Sequence, residues 1–366
     1  MAITLTSGSL VSALQMLVGL VERKHTMPIL SHVLFEASVD GVSLTTTDNQ
    51  MEMSYVMSDV DVTEPVIFTV SARKLFDIFK VLPDQSDARI QLQSGSLKIN
   101  ADGSEFMLLT QPADAFPRFS RVDSGTHISL PLEIVKNLCK QTLFAASLKD
   151  FRASLTGVLL KSFDDHLVAV GCDGSRMAVI DQTIDNASLG DVEVILPRKT
   201  VLEFMKLPDV DAKLIFSGNQ IEIVSENFVF CSRLIDLSYP DYRSALPQGE
   251  SFMFRVKHSD LKASLSRVAV MSNESTRAVM FALSDNKLHL QACNKEHETA
   301  DDELVLEYEG PSVEVVYKAD YLTDALSCLS DCQLVYGTFY AECKSLILSD
   351  DANESRRTFL IMPLKL

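Results

Sequence analysis

Apolar residues recur at helical spacing in three places, each opening a similar stretch of chain. Leu10, Ala13, Leu14, Leu17 and Val21 predict the buried face of a first helix. Val135, Leu138, Cys139 and Thr142 predict a second, and Leu261, Leu265, Val268 and Ala269 a third, with Ser259 placed to cap it. Elsewhere the pattern shifts to period two, as expected of strands with one buried face. Ile90-Gln-Leu-Gln, Ser96-Leu-Lys-Ile, Lys213-Leu-Ile-Phe, Gln220-Ile-Glu-Ile-Val and Lys287-Leu-His-Leu all alternate. Residues 89–93 and 96–100, joined at Ser94-Gly95, read as a hairpin, and Asn219-Gln220 serves a similar turn.

The pattern repeats with a period near one third of the chain. The amphipathic segment from Ala72 to Asp84 recurs from Pro197 to Asp209, 125 residues on, and more faintly from Ala319 through Leu322, Leu326 and Leu329 to Asp331. A second landmark keeps almost the same spacing: strands ending in Asp48, Asp173 and Asn294. Two unrelated landmarks with matching offsets predict three similar domains, each reading helix, strands, helix, strands. Polar turns at 123–125 and 248–250 set the boundaries at 1–124, 125–247 and 248–366. The fold class is α+β with antiparallel sheets.

The net charge of −17 argues against a simple nucleic-acid binder, yet leaves room for a local basic surface. Such a surface is suggested by the helices. Arg73 and Lys80 are seven apart, Lys199 and Lys206 repeat that spacing, and Arg23-Lys24 and Lys149 with Arg152 follow the first two opening helices. Tandem domains related by similar rotations form an arc, and two arcs joined end to end form a closed ring whose helices could line a central hole. Seven scattered cysteines suggest free thiols in a reducing compartment. No Cys/His spacing suggests a metal site, and no catalytic constellation joins Asp48, Asp173 and His297, which lie in different repeats. No run of 18 apolar residues or leader-like N-terminus occurs, so a cytoplasmic protein without cofactor, metal or membrane partner is expected.

Several short motifs then identify a resemblance. Met27-Pro-Ile-Leu30, Asp173-Gly-Ser-Arg176, Tyr239-Pro-Asp-Tyr242 with Leu246-Pro247, Ser272-Asn-Glu274, Arg277 and Ile361-Met-Pro-Leu-Lys-Leu366 resemble the beta subunit, or sliding clamp, of bacterial DNA polymerase III along essentially the whole chain. The resemblance implies a clamp fold with sheets outside and helices lining the hole, and a head-to-tail dimeric ring around duplex DNA. It implies binding without sequence specificity, loading by an ATP-driven clamp loader and no intrinsic catalysis. The implied partners are a second copy, the polymerase III alpha subunit, other DNA polymerases, and mismatch-repair or ligase-type clamp binders.

Residue by residue, the resemblance assigns a partner pocket to Leu155, Cys172, Gly174, Ser175, Arg176, Met177, Pro240, Ala245, Met362, Pro363 and Leu364, with Tyr321 and Cys343 on one rim. Leu, Met and Pro there suit a short segment anchored by Leu or Phe. Ser175 stands where histidine is frequent in the family, Cys172 where threonine is, Ser244 where arginine is, and Thr276 where an aromatic residue is. The ring seam is assigned to Lys74 and Phe106 on one side and Val270, Met271, Glu298 and Asp302 on the other. DNA contacts fall to Lys24, with Arg23, Arg73, Lys149, Arg152 and Lys199. The alternative is an acidic three-domain scaffold that binds proteins and encircles no DNA.

Overall fold

A computed structural model describes residues 3–21, 27–58, 60–122, 124–184, 189–351 and 356–365. Six α-helices occur among them: α1 (Ser7–Leu17), α2 (Ala72–Lys80), α3 (Leu132–Thr142), α4 (Arg198–Phe204), α5 (His258–Ala269) and α6 (Ala319–Cys328). The apolar stripe of each opening helix is buried as its spacing demands: Leu10, Leu14 and Leu17 on α1, Val135, Leu138 and Cys139 on α3, Leu261, Leu265 and Val268 on α5. Two local expectations are corrected. Ser259 lies inside α5, which begins at His258, and its hydroxyl bonds Asp260 rather than capping the helix. The middle-repeat hairpin turns at Gly218-Asn219, because Gly218 supplies the positive φ and Gln220 already pairs with Ser217. A short strand also precedes each opening helix, at Ile3–Thr6, Thr126–Pro131 and Ser251–Lys257, adding to the helix-first plan.

The described chain forms two compact units, Met1–Ile134 with Leu202–Leu234 and Val135–Val201 with Ile235–Leu366, so residues of the middle repeat contribute to both. The first unit holds one antiparallel sheet in which strand Phe228–Arg233 pairs with Met51–Met57, Phe230 opposite Met53. The second holds a nine-stranded sheet in which Arg357–Ile361 pairs with Arg176–Thr183, Phe359 opposite Ala178, and a separate four-stranded sheet. These two pairings are one geometry used twice. Each joins the last strand of a repeat to the strand after the Asp landmark of the repeat before it.

In the first unit the joint also holds the segment running out of the first repeat. Glu52, 3% exposed, accepts the Phe119 amide at 2.9 Å, and Glu222, equally buried, accepts the Val122 amide at 2.8 Å. Burial raises the Glu52 carboxyl above the usual carboxylate range, against the opposing pull of the Phe119 amide, Arg121 and Arg118. In the second unit Gly171 brings its strand against the end of α3. A Cβ there would lie 2.1 Å from the Thr142 carbonyl oxygen.

Two outcomes follow from these contacts. Gly171→Ala must push α3 off the sheet and should cost about 2–3 kcal/mol in urea unfolding of the full chain. For Glu52 the folded pKa lies above the unfolded one, so the folded state binds the extra proton and its contribution to stability is lost as pH rises from about 4.5. Glu52→Gln removes that term. The difference between its unfolding midpoint and that of the parent protein should shift in the variant's favour between pH 4.5 and 7.

Candidate functional site

The Asp173 landmark is a tight turn. Its Oδ1 accepts the Ser175 and Arg176 amides at 2.8 and 2.9 Å, while Gly174 takes φ +87°. Asp48 builds the same turn in the first repeat, accepting the Gln50 and Met51 amides at 2.8 and 2.7 Å. The landmark aspartates are therefore structural, consistent with their exclusion from catalysis.

The turn presents Arg176, whose head group is fully engaged. Nε donates to Asp173, Nη1 donates to Asp324 at 2.6 Å, and Nη2 donates to the Phe144 carbonyl. The guanidinium also stacks 4.4 Å from the Tyr321 ring centroid and 5.1 Å from that of Phe144. Arg176 thus fixes α6, which carries Tyr321, beside the turn. The C-terminal segment passes the same turn: the Met362 amide donates to the Ser175 carbonyl at 2.9 Å, and the Leu364 amide to the Val316 carbonyl at 2.8 Å. Pro363, which has no N–H, sits between these two bonds.

Beneath them lies one apolar cluster. Leu155 and Met177 are buried in it with Leu159, Val170, Tyr239 and Leu360, while Cys172 and Met362 are half-buried against it. Pro240 and Ala245 belong to the neighbouring segment and are exposed, as are Gly174 and Ser175. Cys343 is exposed, its Sγ 2.8 Å from the Ser345 hydroxyl, in a loop tied to the next sheet by the Tyr317 hydroxyl donating to the Lys344 carbonyl. The cluster adds Tyr239, Tyr242, Leu246, Val179 and Ile347, which the sequence reading left out of the pocket. Their signal was present: Tyr239, Tyr242 and Leu246 stand in the quoted motifs, and Val179 and Ile347 lie in strands of the second unit. Burial raises the Cys172 thiol, which therefore stays protonated.

The cations read as DNA contacts divide. Arg23 and Lys24 lie outside the described residues. Lys149 and Lys199 are exposed. Arg73 donates Nη2 to the Val21 carbonyl at 2.6 Å, beyond the end of α1. Arg152 is held by Asp150 through bonds from its amide, Nε and Nη2, and its Nη2 lies 3.0 Å from where a Gly174 Cβ would be. It therefore stands beside the pocket turn.

Of the residues read as the seam, Lys74 is exposed on α2 and Phe106 is half-buried on strand Ser104–Gln111. Met107 and Leu109 of that strand are 61% and 81% exposed. On the other side Val270 is 73% exposed and Met271 partly buried. Asp302 pairs with Arg267, and Glu298 accepts from Asn294 at 2.6 Å. Among the described residues no group of His, Cys, Asp or Glu could hold a metal ion, and no helix is long and apolar enough to cross a membrane.

Comparison with known proteins accounts for this arrangement. Family models of the DNA polymerase III beta subunit match its N-terminal domain at residues 1–120, its central domain at 129–241 and its C-terminal domain at 243–365. The chain is 32% identical over 369 residues to the beta sliding clamp of Pseudomonas aeruginosa, covering all of both chains. The beta sliding clamp of Escherichia coli K12 is likewise 32% identical with full coverage of both. A crystal structure of the DNA polymerase III subunit beta from Pseudomonas aeruginosa superposes with a TM-score of 0.94 at 31% identity, again over the whole of each chain. The chain belongs to the DNA polymerase III beta subunit family, with the three-domain clamp fold, and is a non-catalytic processivity subunit acting in DNA replication.

Proposed function

We propose that two copies close head to tail into a ring around duplex DNA, and that the ring slides without reading base sequence. The observation that carries this is the joint used twice within the chain. The last strand of the middle repeat docks on the first repeat, and that of the third docks on the middle one. By the same rule two strands await partners: the last strand of the first repeat, Ser104–Gln111, and the landmark strand of the third, Thr299–Val305. Among the described residues the former pairs on one side only at Thr110 and Gln111, and the latter pairs only with Lys287–Cys293. Exposed Met107, Leu109, Val305 and Val270 lie on or near these edges, where a long apolar edge left open would aggregate. A second copy satisfies both edges, and closure requires the two to be used alike.

The joints even supply a register. Phe228 faces Tyr55 in one and Arg357 faces Ile180 in the other. The corresponding seam pair is Ser104 opposite Asp302 of the second copy, with Phe106 opposite Ala300 and Met107 opposite Thr299. Lys74 and the acids of the facing strand then supply charge complementarity. Domains at 1–124, 125–247 and 248–366 are the repeating modules of this ring. Exposed Lys149 and Lys199, with Lys24 and Arg23, supply weak phosphate contacts. The cluster of Leu155, Cys172, Met177 and Met362, with Gly174, Ser175, Arg176, Pro240, Ala245, Tyr321, Cys343, Pro363 and Leu364 around it, seats short segments of partners. These include the polymerase III alpha subunit, the ATP-driven clamp loader, other polymerases and repair proteins, all in the cytoplasm.

The deciding assay loads the protein on nicked circular DNA with its clamp loader and then linearises the circle. A ring is retained on the circle and lost from the free ends; equal retention before and after cutting favours the scaffold reading. Neutralising Lys149 and Lys199 together should shorten retention and flatten its salt dependence. At the seam, Met107→Cys with Thr299→Cys should give disulfide-linked dimers on oxidation, whereas either single variant should not. Phe106→Asp with Met271→Asp should yield monomers in mass measurement, and an unchanged dimer rejects the seam. For the pocket, Met362→Asp should weaken a labelled hexapeptide ending in Leu-Phe by about tenfold in fluorescence anisotropy.

A further inference from the structure

Within the pocket cluster one polar atom has no counterpart. The Tyr239 side chain is 9% exposed, and its hydroxyl is buried without a hydrogen-bond partner. Buried hydroxyls ordinarily find one. Packing does not call for this oxygen. The segment Ala115-Phe116-Pro117 leaves the first repeat as Ser238-Tyr239-Pro240 leaves the second, and Phe116 fills its own apolar cluster with no hydroxyl. The Cys172 side chain packs against the same apolar cluster as Tyr239. Its sulfur already accepts the Gly174 amide at 3.4 Å, which leaves the thiol hydrogen to donate. Burial pushes both groups upward in pKa, so both keep their protons at neutral pH.

We propose that the Tyr239 hydroxyl and the Cys172 thiol form a hydrogen-donating subsite in the floor of the partner pocket, selecting segments whose inserted anchor carries an uncharged acceptor atom. This rests on the pocket reading given above and names its selectivity. The route to the hydroxyl is local. Cys172 and Met362 are only half-buried over the cluster, and Met362 is pinned by its backbone amide, not by its side chain. An unbranched thioether chain rotates aside at small cost. An anchor that enters under it meets two donors in an otherwise apolar cavity. A purely apolar anchor fills the same volume but leaves the hydroxyl unsatisfied.

The test uses the full-length protein and two labelled hexapeptides, one ending in Leu-Phe and one with 4-pyridylalanine in place of Phe, at about pH 8 so that the pyridine is uncharged. The ring nitrogen adds an acceptor with almost no change of shape. The parent protein should prefer the pyridyl peptide by about fivefold. Tyr239→Phe should abolish that preference while leaving the Phe peptide within about twofold, and Cys172→Ala should reduce it in part. A thermal midpoint for Tyr239→Phe at or above that of the parent shows that the fold is intact. A preference identical in the parent and Tyr239→Phe, or none in the parent, overturns the polar subsite while leaving the pocket standing. Binding of neither peptide overturns the pocket reading and this inference with it.

Discussion

Everything in this fold depends on a backbone constraint: a strand edge exposes unpaired N–H and C=O groups, and something must cover them. The chain answers by pairing the last strand of each repeat with the landmark strand of the repeat before it. The pairing recurs down to single bonds. The Arg233 amide donates to the Gln50 carbonyl at 2.9 Å in one joint, as the Met362 amide does to the Ser175 carbonyl at 2.9 Å in the other. Three repeats contain two such joints and leave two half-joints, which is the ground for the proposed pairing with a second copy.

A second recurring device commits several arginines to the fold. Arginines bond carbonyls at or just beyond helix ends: Arg277 at Ala269 and Arg357 at Cys328 on the last residues of α5 and α6, Arg73 at Val21 and Arg198 at Leu143 past α1 and α3. Arg357 is further held by Asp331 and Asp350. Lys149 and Lys199, in contrast, are exposed to solvent. The proposed ring would need no tight phosphate contacts, because topology replaces affinity.

The repeat, the helix faces and the strand periods were legible in the sequence because each depends on local spacing, and the apolar stripes of α1, α3 and α5 are buried as read. What spacing could not convey was partnership between distant residues. Arg73 and Arg152 look like any solvated cations until Val21 and Asp150 are found beside them. The proposed pocket is legible only through motifs, and nothing in the spacing around Tyr239 signals that its hydroxyl is buried. Glu52 and Glu222 gave no signal at all: an acid in an alternating strand reads as exposed, and only the folded chain brings the Phe119 and Val122 amides to them.

Those two glutamates also distinguish the first joint from the second. In the first joint Glu222 and Glu52 flank Cys231 on adjacent strands. In the second, the same positions flanking Leu360 are Ile347 and Met177. The acidic pair clips the outgoing segment by its amides, and Arg233 covers Phe119 at 5.4 Å from the ring centroid, so that seat is filled by the chain itself. The apolar pair offers no acceptor for a backbone. The corresponding segment, Tyr239 to Leu246, is held by side-chain packing, with Tyr242 and Leu246 only half-buried. A seat lined by Met, Ile and Leu and covered by side chains alone can exchange its cover for another molecule's at little cost. Two substitutions at equivalent positions thus separate a joint clipped through backbone amides from one covered by side chains, the seat we propose for partners.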